Sequence, residues 1–219
     1  MTAGRVEAEL KFTAADERPL RELEATEELG PAALGPPRTV AELDRYLDTA
    51  DLRLAAARWA CRLRSREGRT IVSLKGPAEH APGDLLHRRP ELEGPADAGL
   101  EPERWPASEA RDRLVALTGG GPLVERFSLA QERTERAVRL DARQIGELSL
   151  DRVRVVHLQV EVGRMLVVEL ELDSQALAEG LNHAPLAAAL DAVRGLDADP
   201  LSKFERGLAM LPTPSFDGP

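Results

Sequence analysis

Cysteine and aromatic residues are scarce in this chain of 219 residues. Cys61 is the only cysteine, which excludes an intramolecular disulfide and a cluster of thiolate metal ligands, and a reducing compartment is the simplest setting. Aromatic residues make up 3%, and Trp59 and Trp105 do not form the stacking platform typical of single-stranded nucleic-acid binders. No apolar run approaches the length of a membrane span, and the first residues lack the apolar core of a signal peptide. We therefore expect a cytoplasmic protein with no membrane partner.

Basic residues are outnumbered, with 29 lysines and arginines against 38 aspartates and glutamates, a net charge of -9. Domains that bind nucleic acid are usually positive overall, so we expect no nucleic-acid partner. Hydrophobic residues at 42% and charged residues at 31% are ordinary for a globular protein. The length favours a single domain, which we place at residues 1–211, followed by a flexible tail at residues 212–219. The oligomeric state stays open.

Apolar and polar residues alternate along much of the chain, which is typical of strands with two unlike faces. Segments with helical spacing and Gly or Pro stop signals separate these strands. The predicted strands are Arg5–Phe12, Gly35–Thr49, Arg58–Arg66, Arg69–Lys75, Leu85–Glu93, Leu123–Leu140, Gln144–Asp151, Val153–Val162 and Met165–Leu172. The predicted helices are Asp16–Leu29, one from Ser108 to a stop at Gly119, Ser174–Leu181, Pro185–Val193 and Leu201–Leu211.

Charged side chains fill the polar positions of these strands in groups of one sign or in tight pairs, unlike the mixed charges of a solvated surface. The opposite strand faces are apolar, and helices must cover them. A single charged face is more often plain surface, but such faces recur on strand after strand. They are Glu7/Glu9/Lys11, Arg62/Arg64, Ser73/Lys75, Arg89/Glu91/Glu93, Arg133/Glu135/Arg139, Glu147/Ser149/Asp151 and Glu169/Glu171. About eight antiparallel strands can close a barrel, so these faces could line one narrow lumen.

Carboxylates confined in such a lumen repel one another, and their pKa values rise unless positive charge compensates. Divalent cations would supply that compensation, while arginine forks and lysine ammonium groups suit phosphate oxygens. Acids for a metal and bases for phosphate together indicate a substrate that combines metal and phosphate.

Short motifs in these strands resemble one family. Glu7-Ala8-Glu9-Leu10-Lys11 resembles the E-x-E-x-K opening of the CYTH, or triphosphate tunnel metalloenzyme, superfamily, which includes inorganic triphosphatases, thiamine triphosphatases and class IV adenylate cyclases. Further matches follow in the family's order as far as about residue 210: Tyr46-Leu47-Asp48-Thr49, Arg62-Leu63-Arg64, Leu74-Lys75-Gly76, Arg89-Pro90-Glu91-Leu92-Glu93, Leu150-Asp151, Glu169-Leu170-Glu171 and Leu201-Ser202-Lys203-Phe204.

The resemblance implies an α+β fold, an eight-stranded antiparallel β-barrel tunnel with helices packed on the outside. It also implies that one or two Mg²⁺ or Mn²⁺ ions bind in the tunnel, since oxygen-only ligands suit hard cations. The implied metal ligands are Glu7, Glu9, Asp151, Glu169 and Glu171. The predicted catalytic residues are Glu7, Glu9, Lys11 and Lys203.

Basic residues of the same motifs are implied to bind the phosphates of a triphosphate substrate. They are Lys11, Arg62, Arg64, Lys75, Arg133 and Lys203. In the strand after the mid-chain helix, Val138 and Leu140 mark the covered face, so alternation turns both Arg133 and Arg139 to the lumen, and we favour Arg133. Glu91 is a further predicted lumen acid, near the non-phosphate end of the substrate.

Three functions are compatible with this pattern. A metal-dependent hydrolase would release orthophosphate from inorganic triphosphate or a small organic triphosphate such as thiamine triphosphate. An adenylate cyclase would make cyclic AMP and pyrophosphate from ATP, and a binding module would hold polyphosphate or a nucleotide without turnover. The carboxylates disfavour a pure anion binder, because they oppose phosphate unless a metal intervenes. The sequence shows no aromatic or amide cluster for adenine, so we rank hydrolysis first.

Overall fold

The structure of the protein is a computed structural model, which describes residues 5–79 and 85–212. Its strands are β1 (Arg5–Ala14), β2 (Glu28–Leu29), β3 (Ala32–Leu34), β4 (Arg38–Thr49), β5 (Ala60–Arg66), β6 (Arg69–Lys75), β7 (Leu86–Pro95), β8 (Leu123–Leu140), β9 (Arg143–His157), β10 (Val160–Leu172) and β11 (Leu196–Ala198). Its helices are α1 (Arg18–Ala25), α2 (Arg53–Ala56), α3 (Glu109–Thr118), α4 (Ser174–Ala178), α5 (Ala184–Asp191) and α6 (Lys203–Ala209), with a 3₁₀ turn at Pro102–Arg104. Of the predicted tail, residues 213–219 lie outside the described residues. None of the helices in residues 5–79 and 85–212 combines the length and the hydrophobicity that a membrane span requires.

Eight long strands pair side by side into a closed antiparallel barrel. Their order is β8, β4, β5, β6, β7, β1, β10 and β9, and β9 pairs again with β8. This closure confirms the predicted α+β fold, an eight-stranded antiparallel barrel with helices outside. The short strands extend it, because β3 pairs with β8 and β2, and β11 pairs with β1. A closed barrel turns one face of every strand to a single lumen.

The predicted strand pattern is wrong in the C-terminal hairpin. The sequence predicts Gln144–Asp151, Val153–Val162 and Met165–Leu172 as three strands, whereas the structure has only β9 and β10 there. The chain turns at Leu158 and Gln159, whose φ angles are positive at 48° and 67°. Such turns usually carry Gly, Asn or Asp, so these two residues gave no turn signal in the sequence.

Helices cover the outer face of the barrel in two places. α1, α4 and α5 pack on β1, β9 and β10 over a core that includes Leu10, Leu20 and Leu170. α1 ends before the predicted Leu29, because Leu29 pairs with Ala32 in the β2–β3 ladder. α2 and α3 cover β5 and β6 over a second core, in which Cys61 packs with Leu63 and Leu114. These helices bury the apolar strand faces and leave the charged faces to the lumen.

One end of the barrel is capped by α6. The Phe204 ring lies 5.2 Å from the ring of Tyr46 and 5.9 Å from that of Phe127, measured between centroids. Tyr46 and Phe127 stack on each other at 4.9 Å. At the opposite end, where β1 begins, a cavity of about 390 Å³ opens beside Arg5 and Glu171. The lumen therefore has an apolar cap at one end and a polar mouth at the other.

We expect Gly146→Ala to lower the free energy of unfolding by about 1–3 kcal/mol, because a Cβ there would overlap the carbonyl oxygen of Glu171 on the neighbouring strand. That oxygen belongs to the β9–β10 ladder and cannot move without disturbing the strand pairing. Urea unfolding measures the effect. The matched control is Gly35→Ala, whose Cβ would lie 3.4 Å from its nearest neighbour and should shift stability by less than about 1 kcal/mol. Equal stability of the two variants would contradict this packing.

Candidate active site

The inner faces of the strands bring most of the predicted site residues into one lumen. In the β1–β10 pairing, Glu9 lies beside Glu171 and Lys11 beside Glu169. The middle of the lumen holds a cavity of about 100 Å³. The residues around it are Arg5, Glu7, Glu9, Arg62, Arg64, Lys75, Glu91, Glu93, Arg133, Glu147, Ser149, Glu169 and Glu171.

Glu7 is held between two bases. The Lys75 Nζ donates to its Oε1 at 2.5 Å, and the Arg89 Nε donates to its Oε2 at 2.6 Å. Burial alone would raise the pKa of Glu7, but the charges of Lys75 and Arg89 lower it to about 2. Lys75 also lies 3.2 Å from Glu91, which accepts a 2.8 Å hydrogen bond from Ser73. These side chains form one cluster, in which Glu7 is ionised.

Glu9 is less well compensated than Glu7. Arg89 donates to it at 2.9 Å, while the Lys11 Nζ lies 4.0 Å away. Burial raises the pKa of Glu9, and the neighbouring carboxylates of Glu7 and Glu169 raise it further. Burial also lowers the pKa of Lys11. An added positive charge beside Glu9 would relieve this repulsion.

A second cluster joins β8, β9, β10 and α6. Arg133 donates to both carboxylate oxygens of Asp151, at 2.7 and 2.8 Å. The Lys203 Nζ lies between Asp151 and Glu169, at 2.6 and 2.5 Å. Burial would raise the pKa of both acids, but the charges of Arg133 and Lys203 hold both values below their usual range. Asp151 and Glu169 are therefore both ionised, and each forms ion pairs with Arg133 and Lys203.

A third cluster surrounds Asp44 on β4. Arg64 donates to both of its oxygens at 2.8 Å, Gln131 donates at 2.9 Å, and Arg62 donates at 3.3 Å. Burial would raise the pKa of Asp44, but the charges of Arg62 and Arg64 lower it well below its usual range. The buried Nε of Arg62 has no hydrogen-bond partner among the described residues. Asp44 therefore holds both arginines in the lumen and leaves the buried Nε donor of Arg62 unused.

Glu171 lies at the polar mouth, where its side chain is 38% exposed and forms an ion pair with Arg5. Burial raises its pKa to about 7, and the charge of Glu7 contributes to that rise. Glu171 is thus the predicted metal ligand with the easiest access from solvent.

Arg139 does not reach these clusters, and its predicted place in the lumen is wrong. The β8–β9 pairing has an irregularity between Val138 and Arg139, and Arg139 is solvent-exposed after it. The extra residue of this irregularity, Ile145, lies on β9, and Arg139 is exposed because it is the second-last residue of β8. Arg133, which precedes the irregularity, does face the lumen.

The sequence matches the model of the CYTH domain family over residues 5–207. The chain belongs to the CYTH family. This confirms the resemblance carried by the motifs. The sequence has no match among curated proteins.

Solved structures share the fold of this CYTH domain. HpAC1 from Hippeastrum, an adenylyl cyclase candidate with a dominant triphosphatase activity, has 19% identity and a TM-score of 0.63, over 95% of this chain and 98% of that one. An adenylate cyclase candidate from Bacillus halodurans has 21% identity and a TM-score of 0.56, over 92% and 97%. The PH1819 protein from Pyrococcus horikoshii OT3 has 18% identity and a TM-score of 0.55, over 93% and 98%.

The lumen of this CYTH domain has the right ligand chemistry for a hard divalent cation. Four of the predicted ligands line the same cavity: Glu7, Glu9, Glu169 and Glu171. Even so, no three Asp, Glu, His or Cys side chains in residues 5–79 and 85–212 converge on a point that would hold a metal. Lys75, Arg89 and Lys203 bind these acids instead. A cation could be held here once those bases move to another anion.

Several lumen residues of the CYTH domain are not predicted as site residues from the sequence. Arg89 is predicted only to lie on a charged strand face, and Glu42, Asp44 and Gln131 are not predicted at all. Glu42 accepts hydrogen bonds from Gln131 at 3.1 Å and from Arg66 at 3.0 Å. The available signal was the alternation of Glu42, Asp44 and Tyr46 along β4. It was obscured because the positions between them hold one apolar residue, Leu43, and one basic residue, Arg45.

We expect Asp44→Asn to lower the free energy of unfolding by about 3–5 kcal/mol near neutral pH, since it removes the partner of buried arginines. The folded-state pKa of Asp44 is lowered, so its stabilisation is present above the unfolded-state pKa of about 4 and is lost as the pH falls through the lower folded-state value. Urea unfolding across this range should show a constant difference from wild type near neutrality that shrinks below about pH 4.

The control for this prediction is Asp51→Asn, which removes an exposed ion pair with Arg53. Its effect should stay below about 1 kcal/mol at every pH. An Asp44→Asn effect that is equally small, or that does not change with pH, would contradict the assigned pairing.

Proposed function

We propose that this protein is a cytoplasmic, metal-dependent phosphohydrolase that releases orthophosphate from inorganic triphosphate or from a small organic triphosphate. The observation that carries the proposal is one cavity lined by both buried carboxylates and buried basic side chains. Carboxylates suit Mg²⁺ or Mn²⁺, and the arginines and lysines suit phosphate oxygens. The dominant triphosphatase activity of HpAC1 supports this reaction class.

Arg62 supports phosphate binding most directly. Its bond to Asp44 is long at 3.3 Å, and its buried Nε has no partner among the residues described. An unsatisfied buried donor costs about 1–3 kcal/mol, which a phosphate oxygen at this place would recover. Arg64 is already bound by Asp44 through two donors, so it offers the substrate fewer free ones.

Substrate binding would exchange the partners of the Glu7 cluster. Lys75 and Arg89 now bind Glu7, and Arg89 also binds Glu9. Phosphates that accept from Lys75 and Arg89 would free Glu7 and Glu9 to hold a divalent cation, together with Glu169 and Glu171. Asp151, the fifth predicted ligand, has both oxygens bound by Arg133 and Lys203.

The reaction needs positioning and charge stabilisation more than covalent chemistry from the protein. A bound divalent cation would neutralise charge on the triphosphate. Arg62, Lys75, Arg89 and Lys203 would orient the phosphates and stabilise the charge that develops on their oxygens as water attacks the terminal phosphorus in line. Arg62 is held in the lumen beforehand by Asp44, and Lys203 by Asp151 and Glu169, so these two groups need little reorganisation.

A further cavity beside Lys75 is large enough for the organic part of an organic triphosphate. It is a cavity of about 400 Å³ whose lining includes Trp59, Phe204 and Arg58. An organic group attached to the phosphates would have room there. This room is compatible with the first alternative function, a class IV-type adenylate cyclase acting on ATP. The second alternative is a non-catalytic module that binds polyphosphate or nucleotide.

The first experiment measures orthophosphate and pyrophosphate release from tripolyphosphate, thiamine triphosphate and ATP, each with Mg²⁺, with Mn²⁺ and with chelator. We expect orthophosphate release that depends on metal, because the lumen carboxylates oppose phosphate without it. Pyrophosphate together with cyclic AMP from ATP would instead establish the cyclase. Binding without any turnover would establish the binding module.

We expect Glu9→Gln to abolish hydrolysis while leaving the fold intact, since it removes an anionic ligand and keeps the side-chain shape. Activity at limiting metal and circular dichroism measure the two effects. Glu161→Gln, which removes a partner of Arg164 outside the lumen, is the control and should retain activity. Normal turnover of Glu9→Gln would refute the role of Glu9.

A further inference from the structure

α6 turns one narrow face toward the barrel. Lys203 and Gly207 are its two buried residues, and they lie four positions apart, one helical turn along the same face. Ser202 caps the helix through reciprocal hydrogen bonds with Glu205, which fixes where the first turn begins. The placement of Gly207 on the barrel therefore sets the placement of Lys203.

Gly207 lies directly against the ring of Phe127. A Cβ at this position would overlap the ring edge, with the Cζ atom only 2.7 Å away. The ring has little freedom to retreat, because Phe127 is fully buried and packs on Tyr46 and Phe204. A side chain at residue 207 would therefore push α6 away from the barrel.

Lys203 reaches the lumen from this helix. Its Nζ lies 2.5 Å from Glu169 and 2.6 Å from Asp151, and these acids also bind Arg133. Lys203 is only 7% exposed, so its packed side chain has little room to change rotamer when the helix shifts. A displacement of α6 by about 1 Å would lengthen both beyond normal hydrogen-bond length.

We propose that Gly207 is a positioning residue for the reaction. Because Gly207 has no side chain, α6 can pack directly on Phe127, and this contact sets how far Lys203 reaches into the lumen. The inference rests on the proposed function, in which Lys203 orients phosphate. Gly207 itself touches neither the cavity nor the acids. It acts through the position of Lys203.

A double-mutant cycle tests this role. We expect Gly207→Ala to lower kcat/KM for tripolyphosphate by about ten- to a hundredfold, because small misplacements of positioning groups have effects of this size. In the Lys203→Ala background the same change should cost less than about twofold, since the residue it acts through is gone. Leu208→Ala, on the exposed side of α6, is the control and should stay within about twofold of wild type.

Equal losses from Gly207→Ala in both backgrounds, or no loss in either, would overturn the proposal. Circular dichroism and thermal unfolding report whether each variant folds. If Gly207→Ala does not fold, Phe127→Leu replaces it, because this change alters the same contact from the barrel side without adding volume. The double-mutant cycle is then measured with Phe127→Leu and Lys203→Ala. The same non-additivity is expected, and additive losses would overturn the proposal.

Chemical labelling tests the positioning of Lys203 independently of any enzymatic activity. Lys203 is buried, so acetic anhydride should acetylate it slowly in the wild type. We expect Gly207→Ala, or Phe127→Leu in its place, to increase labelling of Lys203 several-fold relative to Lys11, as read by mass spectrometry of peptides. If the wild type hydrolyses no triphosphate, the proposed function fails while this readout still decides the positioning. An unchanged labelling ratio would overturn it.

Discussion

The pairing of opposite charges inside the barrel is the constraint on which this structure depends. Removing an ion from water costs several kcal/mol, so an ionised side chain can lie in a lumen only with a close partner of opposite sign. The protein meets this requirement in three clusters, around Glu7, Asp44 and Asp151. The same pairing prepares the site for its proposed work, because acids and bases that are already desolvated and oriented can exchange partners for a metal and a phosphate.

The closed barrel and α6 make these pairs possible. Antiparallel register places Lys75 beside Glu91 and Arg133 beside Asp151 on neighbouring strands, so the pairs form between adjacent inward positions. The apolar strand faces are buried outward beneath α1 to α5, which leaves the lumen to charged residues. α6 closes one end with aromatic rings and adds Lys203, a base that no barrel strand supplies. Fold stability and site geometry therefore rest on the same contacts.

Much of the fold could be predicted from period-two alternation and the ordered motifs, because both reflect which strand face meets the lumen. The misses have physical causes. Asp44 was obscured because apolar residues lie on both faces of its strand, with Val40 beside the acids and Leu43 between them. Arg139 was misplaced because it lies at the exposed end of β8. Asp48 belongs to a matching motif, yet it accepts backbone hydrogen bonds from Leu54 and Ala55 that order α2. Partner choice across a barrel depends on register, which local sequence encodes only weakly.

Under the proposed function, Lys75 and Arg89 leave Glu7 when metal and triphosphate bind. The most direct measurement is a crystal structure with Mn²⁺ and the non-hydrolysable imido analogue of triphosphate. We expect the phosphates to lie on Lys75, Arg89 and Arg62 and the metal on Glu7 and Glu9. A complex that retains both bases on Glu7, with the analogue bound elsewhere, would contradict it.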